Sequence, residues 1–191
     1  YQQIASLKTI GNQELTWEHS DMLNLGLDVK VLNSRLNFTG EYYIKNTKDI
    51  LLEMPVPLEY GFGKPNMNVG EVRNKGWELS LSWNDRINDF GYSISGNLSD
   101  NRNEVVDLGD TGPWKGSNTY TEVGLPFNSI YGYESMGLFQ SDEEVANAPF
   151  QNSNTAAGDI RYKNQNGDDK IDANDRVVIG DPNPHFLYGV N

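Results

Sequence analysis

The stretch LNLGLDVKVLNSRLNFTGEYYI, Leu23 to Ile44, decides how the chain folds. In its first nine residues Leu23, Leu25, Leu27, Val29 and Val31 fall on one side, with Asn24, Asp28 and Lys30 on the other. In its last nine, Leu36, Phe38, Tyr42 and Ile44 oppose Asn37, Thr39 and Glu41. Apolar residues recurring at every second position mark strands with one buried or lipid-covered face. The link between them, LNSR (Leu32 to Arg35), is of hairpin length.

The pattern repeats downstream. WELSLSW sets Trp77, Leu79, Leu81 and Trp83 against Glu78, Ser80 and Ser82, and FGYSISGNL sets Phe90, Tyr92, Ile94 and Leu98 against Ser93, Ser95 and Asn97. A short DRIND link joins these two, whereas a long stretch carrying Pro55, Pro57 and Pro65 separates them from the first pair. After the fourth strand no clean alternation returns until HFLYGVN at residues 185–191. Strands are therefore expected near 21–31, 36–45, 76–84, 90–99 and 185–191, with long connections near 46–75 and 100–184. SIYGYESMGLF (Ser129 to Phe139) is kept within the second long connection.

Short, long, short, long connections put every tight turn at one end of an antiparallel sheet and every long loop at the other. Outer-membrane barrels are built this way, with long loops outside the cell. The core of a soluble sandwich explains the same alternation, but its connections are more even in length. Leu23 to Val31 gives about 26 Å of strand, or about 20 Å of height at a 40° tilt, close to the apolar band of a barrel. Trp77 and Trp83 bracket one apolar row as interfacial aromatics do. The expected fold class is all-β: antiparallel strands forming part of a transmembrane barrel, with long extracellular loops.

Composition agrees. The 191 residues carry 15 Lys and Arg against 27 Asp and Glu, a formal charge of −12, which argues against a nucleic-acid partner. No cysteine is present, so disulfides and thiolate metal sites are excluded. A mean hydropathy of −0.63 and the lack of any long apolar run exclude a spanning helix but not barrel strands. The opening YQQIASLKTI does not read as a signal peptide. The best helical segment is SDEEVANA, with Ser141 as its N-cap.

NQNGDDKIDAND, residues 164–175, has the spacing of a calcium loop. Asn164, Asn166, Asp168, the Lys170 carbonyl, Asp172 and Asp175 fall at positions 1, 3, 5, 7, 9 and 12, and Ile171 at the apolar anchor position. Asn164 replaces a carboxylate, and Asp169 stands where a glycine usually takes the left-handed turn. The expected occupant is a structural Ca2+ bound at micromolar to millimolar concentration; the alternative is an Asx-rich turn.

Longer segments are similar to a known family. GDIRYKNQNGDDKIDANDRVVIGDPNPHFLYGVN (Gly158 to Asn191) resembles a run of the SusC/RagA family of TonB-linked outer-membrane transporters, matching at Gly158, Asp159, Ile160, Tyr162, Asp168, Ile171, Asp172, Asp175, Arg176, Pro184, Phe186 and Tyr188 among others. VGEVRNKGWELSLSW carries that family's N-K-G-x-E opening at Asn74, Lys75, Gly76 and Glu78, and Val123 to Val145 resembles its G-Y-x-x-x-G-L-F-Q segment. The resemblance implies a 22-stranded barrel with an N-terminal plug, a SusD-like surface lipoprotein as partner, import driven by TonB through the plug, and oligosaccharide or peptide as cargo. No plug or TonB-contacting segment is recognisable in these residues, so a piece of the barrel's C-terminal half is expected.

The competing reading is a soluble extracellular glycan-binding module stabilised by calcium, with Trp114, Tyr120, Tyr131 and Tyr133 stacking on sugar rings. An enzyme fits poorly: the histidines are His19 and His185 alone, and no nucleophile motif or phosphate loop appears, so no catalytic residue is assigned.

Overall fold

Backbone pairing carries the strands well past the ends of their apolar rows. In the computed structural model, which describes Asn12 and residues 14–53 and 65–191, β1 (His19–Val31), β2 (Leu36–Glu53), β3 (Asn66–Ile87), β4 (Phe90–Asp107) and β11 (Phe186–Val190) form one antiparallel sheet in the order β1-β2-β3-β4-β11. The 22 residues of β3 make a strand of roughly 70 Å. The connections expected at 46–75 and 100–184 are shorter than the sequence suggests, because strand continues to Glu53, resumes at Asn66 and runs on to Asp107. Residues 54–64, with Pro55 and Pro57, lie outside the described residues, as does the opening YQQIASLKTI.

The reason lies in what holds each half of the strands. Hydrophobic alternation stops where the apolar face stops, and beyond it polar ladders take over. Arg73 Nε donates to Asn46 Oδ1 at 2.9 Å, Asn103 Nδ2 to Asn74 Oδ1 at 2.9 Å, and Ser20 and Thr47 hydroxyls meet at 3.1 Å. A bulge at Asp49 (φ 55°) shifts the β2–β3 register between Thr47 and Ile50.

Register assigns the faces. Residues directly opposite in an antiparallel pair share a face. Leu25, Tyr42, Trp77, Asp100 and Phe186 form one such row; Leu27, Gly40, Leu79, Leu98 and Tyr188 form the next. Below them stand Leu81 and then Trp83 with Ile94. This apolar face is open: Leu25 is 61 % exposed, Leu27 59 % and Ile94 57 %. A sandwich would have buried it. Aromatics cluster at both of its ends, Tyr42, Trp77 and Phe186 at one, and Trp83, Phe90 and Tyr92 at the other, where Trp83 Nε1 donates to Tyr92 Oη at 3.3 Å.

Both short turns lie side by side. Leu32, Asn33 and Ser34 all have φ between 55° and 63°, and the turn closes through Arg35 N to Leu32 O at 3.2 Å. Asn84 N donates to Arg35 O at 2.8 Å, and Arg35 Nε approaches Asp85 Oδ1 at 3.4 Å. At the far end β4 leaves and β11 enters, with Asn101 N bonded to His185 O at 3.1 Å. Past the start of β11, residues Thr121–Phe127 cover the edge of β4: Val105 N donates to Leu125 O, Gly124 N to Val105 O, and Phe127 N to Asn103 Oδ1. Val105 is fully buried there.

The chain divides into two compact units, the second made of Lys115–Tyr120 and Asn128–Pro182. A smaller sheet is formed where β6 (Thr119–Thr121) pairs through Thr119 and Tyr120 with β7 (Ser129–Tyr133), which pairs in turn with β10 (Arg176–Gly180); β5 (Trp114–Lys115) completes the order β10-β7-β6-β5. β8 (Ser135–Leu138) and β9 (Ile160–Tyr162) make a separate ribbon. SIYGYESMGLF is thus split between two small sheets and adds no strand to the large one. The helix α1 (Asp142–Asn147) starts where its cap predicts, with Ser141 Oγ accepting from Glu144 N at 3.2 Å.

Candidate functional site

The opposite face of the large sheet is mostly polar. Asp28, Thr39, Glu41, Glu78, Ser80, Asn97 and Ser99 line it, and a shallow groove of about 480 Å³ runs across the middle. Thr39 Oγ1 donates to Asp28 Oδ1 at 2.7 Å. Glu41 and Glu78 stand directly opposite each other, an arrangement of like charges that costs stability unless water screens it. A water-filled channel wall tolerates such a pair, whereas a packed core does not.

One strut crosses this face. Tyr43, Gly76 and Asn101 share a row, and Tyr43 Oη reaches over Gly76 to donate to Asn101 Oδ1 at 3.1 Å. In the sequence Gly76 stands out only as a letter of the N-K-G-x-E motif. A glycine inside a strand is itself a signal of close approach, and that signal could have found the strut.

The acidic loop is held by its own backbone. Asp175 is fully buried, and its carboxylate accepts from Gln165 N at 2.9 Å and Asp172 N at 2.7 Å. Asp172 accepts in return from Asn174 N at 2.8 Å, making a reciprocal cap around a single 3-10 turn, Ala173–Asp175. Asp168 Oδ1 accepts from Lys170 N at 2.9 Å, Asp168 Oδ2 from Asn166 Nδ2 at 2.9 Å, and Asn166 Oδ1 from Asp168 N at 3.0 Å. Asn164 bridges Gly167 N and the Asp168 carbonyl. The left-handed residue is Gly167 (φ 77°), at position 4, so Asp169 is spared the strain expected of it. Ile171 anchors the loop through the backbone: Ile171 N donates to Phe150 O at 2.8 Å and Phe150 N to Asp169 O at 2.9 Å.

In this arrangement the Asn and Asp side chains at these positions bond the loop's own backbone N–H groups and one another. No group of three or more acidic or histidine side chains converges on one point among the described residues. Lys170 Nζ already lies 2.6 Å from Asp172 Oδ2. That contact raises the Lys170 pKa and, with the Asn174 N–H, lowers that of Asp172. Glu134 is lowered by hydrogen bonds from Gln165 and then Lys163, the latter Nζ 3.0 Å away.

The aromatic side chains suggested for sugar stacking largely contact one another. Tyr120 and Tyr131 stack at 5.3 Å, Tyr133 meets Tyr162 at 5.1 Å, and the Arg176 guanidinium sits 4.6 Å over Tyr131 while bonding the Tyr131 carbonyl at 2.9 Å. Trp114 Nε1 donates to Thr111 Oγ1 at 2.9 Å. His19 Nδ1 lies 2.9 Å from Asp49 Oδ2 at the outer end of β1.

Comparison with known proteins fits this geometry. Residues 2–181 match the family described as TonB dependent receptor-like, beta-barrel. TonB-dependent receptor P39 of Formosa agariphila is 33 % identical over 94 % of this chain and 21 % of its own length. TonB-dependent receptor SusC of Bacteroides thetaiotaomicron is 28 % identical over 94 % of this chain and 18 % of its own. The structure of the RagAB peptide transporter superposes with a TM-score of 0.78 at 26 % identity, covering 100 % of this chain and 21 % of that one. The chain therefore spans about a fifth of the length of the relatives it matches. These relatives are receptors and transporters. With its apolar face turned to lipid and its polar face to the lumen, the chain belongs to the TonB-dependent receptor family of outer-membrane β-barrels, as a SusC/RagA-like portion of the barrel wall.

Proposed function

We propose that the whole protein imports a nutrient, an oligosaccharide or a peptide, across the outer membrane, driven by TonB through a plug and aided by a SusD-like surface lipoprotein. The observation that carries this reading is the two-faced sheet, apolar and exposed on one side and polar with opposed carboxylates on the other. Support also comes from the likeness to SusC and to RagAB, described as a peptide transporter. A wall of this kind contributes a hydrophilic path.

The test is uptake in cells. Deleting the full-length gene should abolish accumulation of one class of labelled cargo, oligosaccharide or peptide, and removing TonB should reproduce the loss. Affinity purification of the full-length protein should recover a surface lipoprotein. Uptake unchanged in both strains would refute the import reading.

For residues 164–175 we propose a structural role, tying down a long excursion whose closure costs entropy. Calcium is a further proposal resting on ligand chemistry, since Asn166, Asp168, Asp172 and Asp175 supply hard oxygen donors.

A further inference from the structure

Glycine opens the apolar face. Gly96 lies in register with Leu81 on β3 and Val190 on β11, and over it runs a shallow trough of about 470 Å³. Phe38, Leu81, Trp83, Ile94, Leu98 and Tyr188 wall the trough, almost wholly with apolar surface. Six residues further along β4, toward the long-loop end, Arg102 stands in register with Lys75, and both are exposed.

The charges at this upper end are not balanced pair by pair. Arg102 Nε bonds Asp100 Oδ2 at 3.2 Å, while its terminal nitrogens make no bond among the described residues. Lys75 makes no ion pair among the described residues. Of the neighbouring charges on this face, Glu104 stands opposite Arg73, and Asp21 pairs with Lys48 at 3.1 Å. Asp100 is nine-tenths buried between Trp77 and Phe186 in its row, and its Oδ1 has no partner among the described residues.

Depth links the two features. Six residues of strand rise about 15 Å at the tilt of a barrel strand, the depth of one leaflet of a ~30 Å hydrocarbon core. We propose that this face holds one lipid of the outer leaflet, its phosphorylated headgroup on Lys75 and Arg102 and an acyl chain in the trough over Gly96. Cations at the interface draw anionic headgroups, and their aliphatic stems extend along apolar surface. The proposal rests on the membrane orientation of the sheet and is independent of what the protein imports.

The experiment uses the full-length receptor, delipidated in mild detergent and titrated with lipid A, read by native mass spectrometry. One lipid A per barrel should bind, and lipid A stripped of its phosphates should bind at least about fivefold more weakly, as each interfacial cation contributes roughly that factor. The double variant Lys75→Gln/Arg102→Gln should abolish the preference for phosphate, and Gly96→Phe should weaken both lipids by filling the trough. Each variant is checked for a folded barrel by heat-modifiable gel migration. Equal affinity of the unaltered receptor for both lipids would overturn the proposal. So would variants that bind as it does, or a Gly96→Phe effect on receptor dimerisation with lipid retention unchanged.

Discussion

Tyr43 on β2 donates from its hydroxyl to Asn101 on β4 at 3.1 Å, passing over the whole width of β3. The crossing is possible only because the intervening residue is Gly76. A Cβ built there would lie 2.4 Å from the Asp100 carbonyl oxygen and 2.7 Å from Tyr43 Oη. The ring fills the space that a side chain would take, and the hydrogen bond fixes three strands at the level where apolar rows give way to polar ladders.

Gly76→Ala should destabilise the full-length barrel by about 1–3 kcal/mol, the usual cost of forcing a methyl into packed structure. Tyr43→Phe should cost about 1 kcal/mol, the net worth of one hydrogen bond. In Tyr43→Ala the glycine substitution should be only partly relieved, because the Asp100 carbonyl remains in the way. Urea unfolding in lipid vesicles measures all of these, and an additive double variant would mean that Tyr43 and Gly76 do not interact.

The four long strands were legible because each carries seven to nine residues of strict alternation, and the faces follow from that alone. Their full lengths were not legible. Asn46, Arg73, Asn74 and Asn103 pair by side-chain ladders that leave no hydrophobic period in the sequence. Loop parity placed both tight turns together, as Arg35 and Asp85 bear out. The acidic dodecapeptide was found by its spacing, yet spacing cannot tell a carboxylate aimed at a cation from one aimed at a backbone N–H. Asp175 accepts from the Gln165 and Asp172 backbone N–H groups.

Face identity predicts an asymmetry between neighbours. Leu81→Arg puts a guanidinium on the lipid side near mid-band and should cost about 2–4 kcal/mol. Ser80→Arg, one residue away, points into the lumen and should cost little. Folding free energies of the full-length protein in vesicles give the comparison. Equal costs would mean that the two faces see the same solvent.

The second unit should loosen in acid. Asp172 and Glu134 both have folded pKa values below the ordinary carboxylate range, so each stabilises the fold fully above that range. The contribution is lost as pH falls through the lowered folded values, when Lys170 and Lys163 lose their anionic partners. Limited proteolysis with an acid-active protease should show cleavage within 160–175 appearing below about pH 4. Cleavage that is constant from neutral pH downward would exclude this linkage.

Calcium proposed at residues 164–175 competes with Lys170. Its ammonium occupies Asp172 Oδ2 at 2.6 Å, one of the oxygens that the spacing offers to a cation. Lys170→Met removes the competing charge while keeping a long apolar stem, and position 7 contributes only its carbonyl to such a site. The expected outcome is protection from neutral-pH proteolysis at millimolar Ca2+ in the unaltered protein, with the midpoint moving to lower Ca2+ in Lys170→Met. Asp168→Asn should move it the other way by removing a carboxylate. Protection that is unchanged at 10 mM Ca2+ (about tenfold above the dissociation constants of the weakest loops of this kind) in all three proteins would leave the loop a self-sufficient Asx turn, with Asp175 alone as its buried anchor.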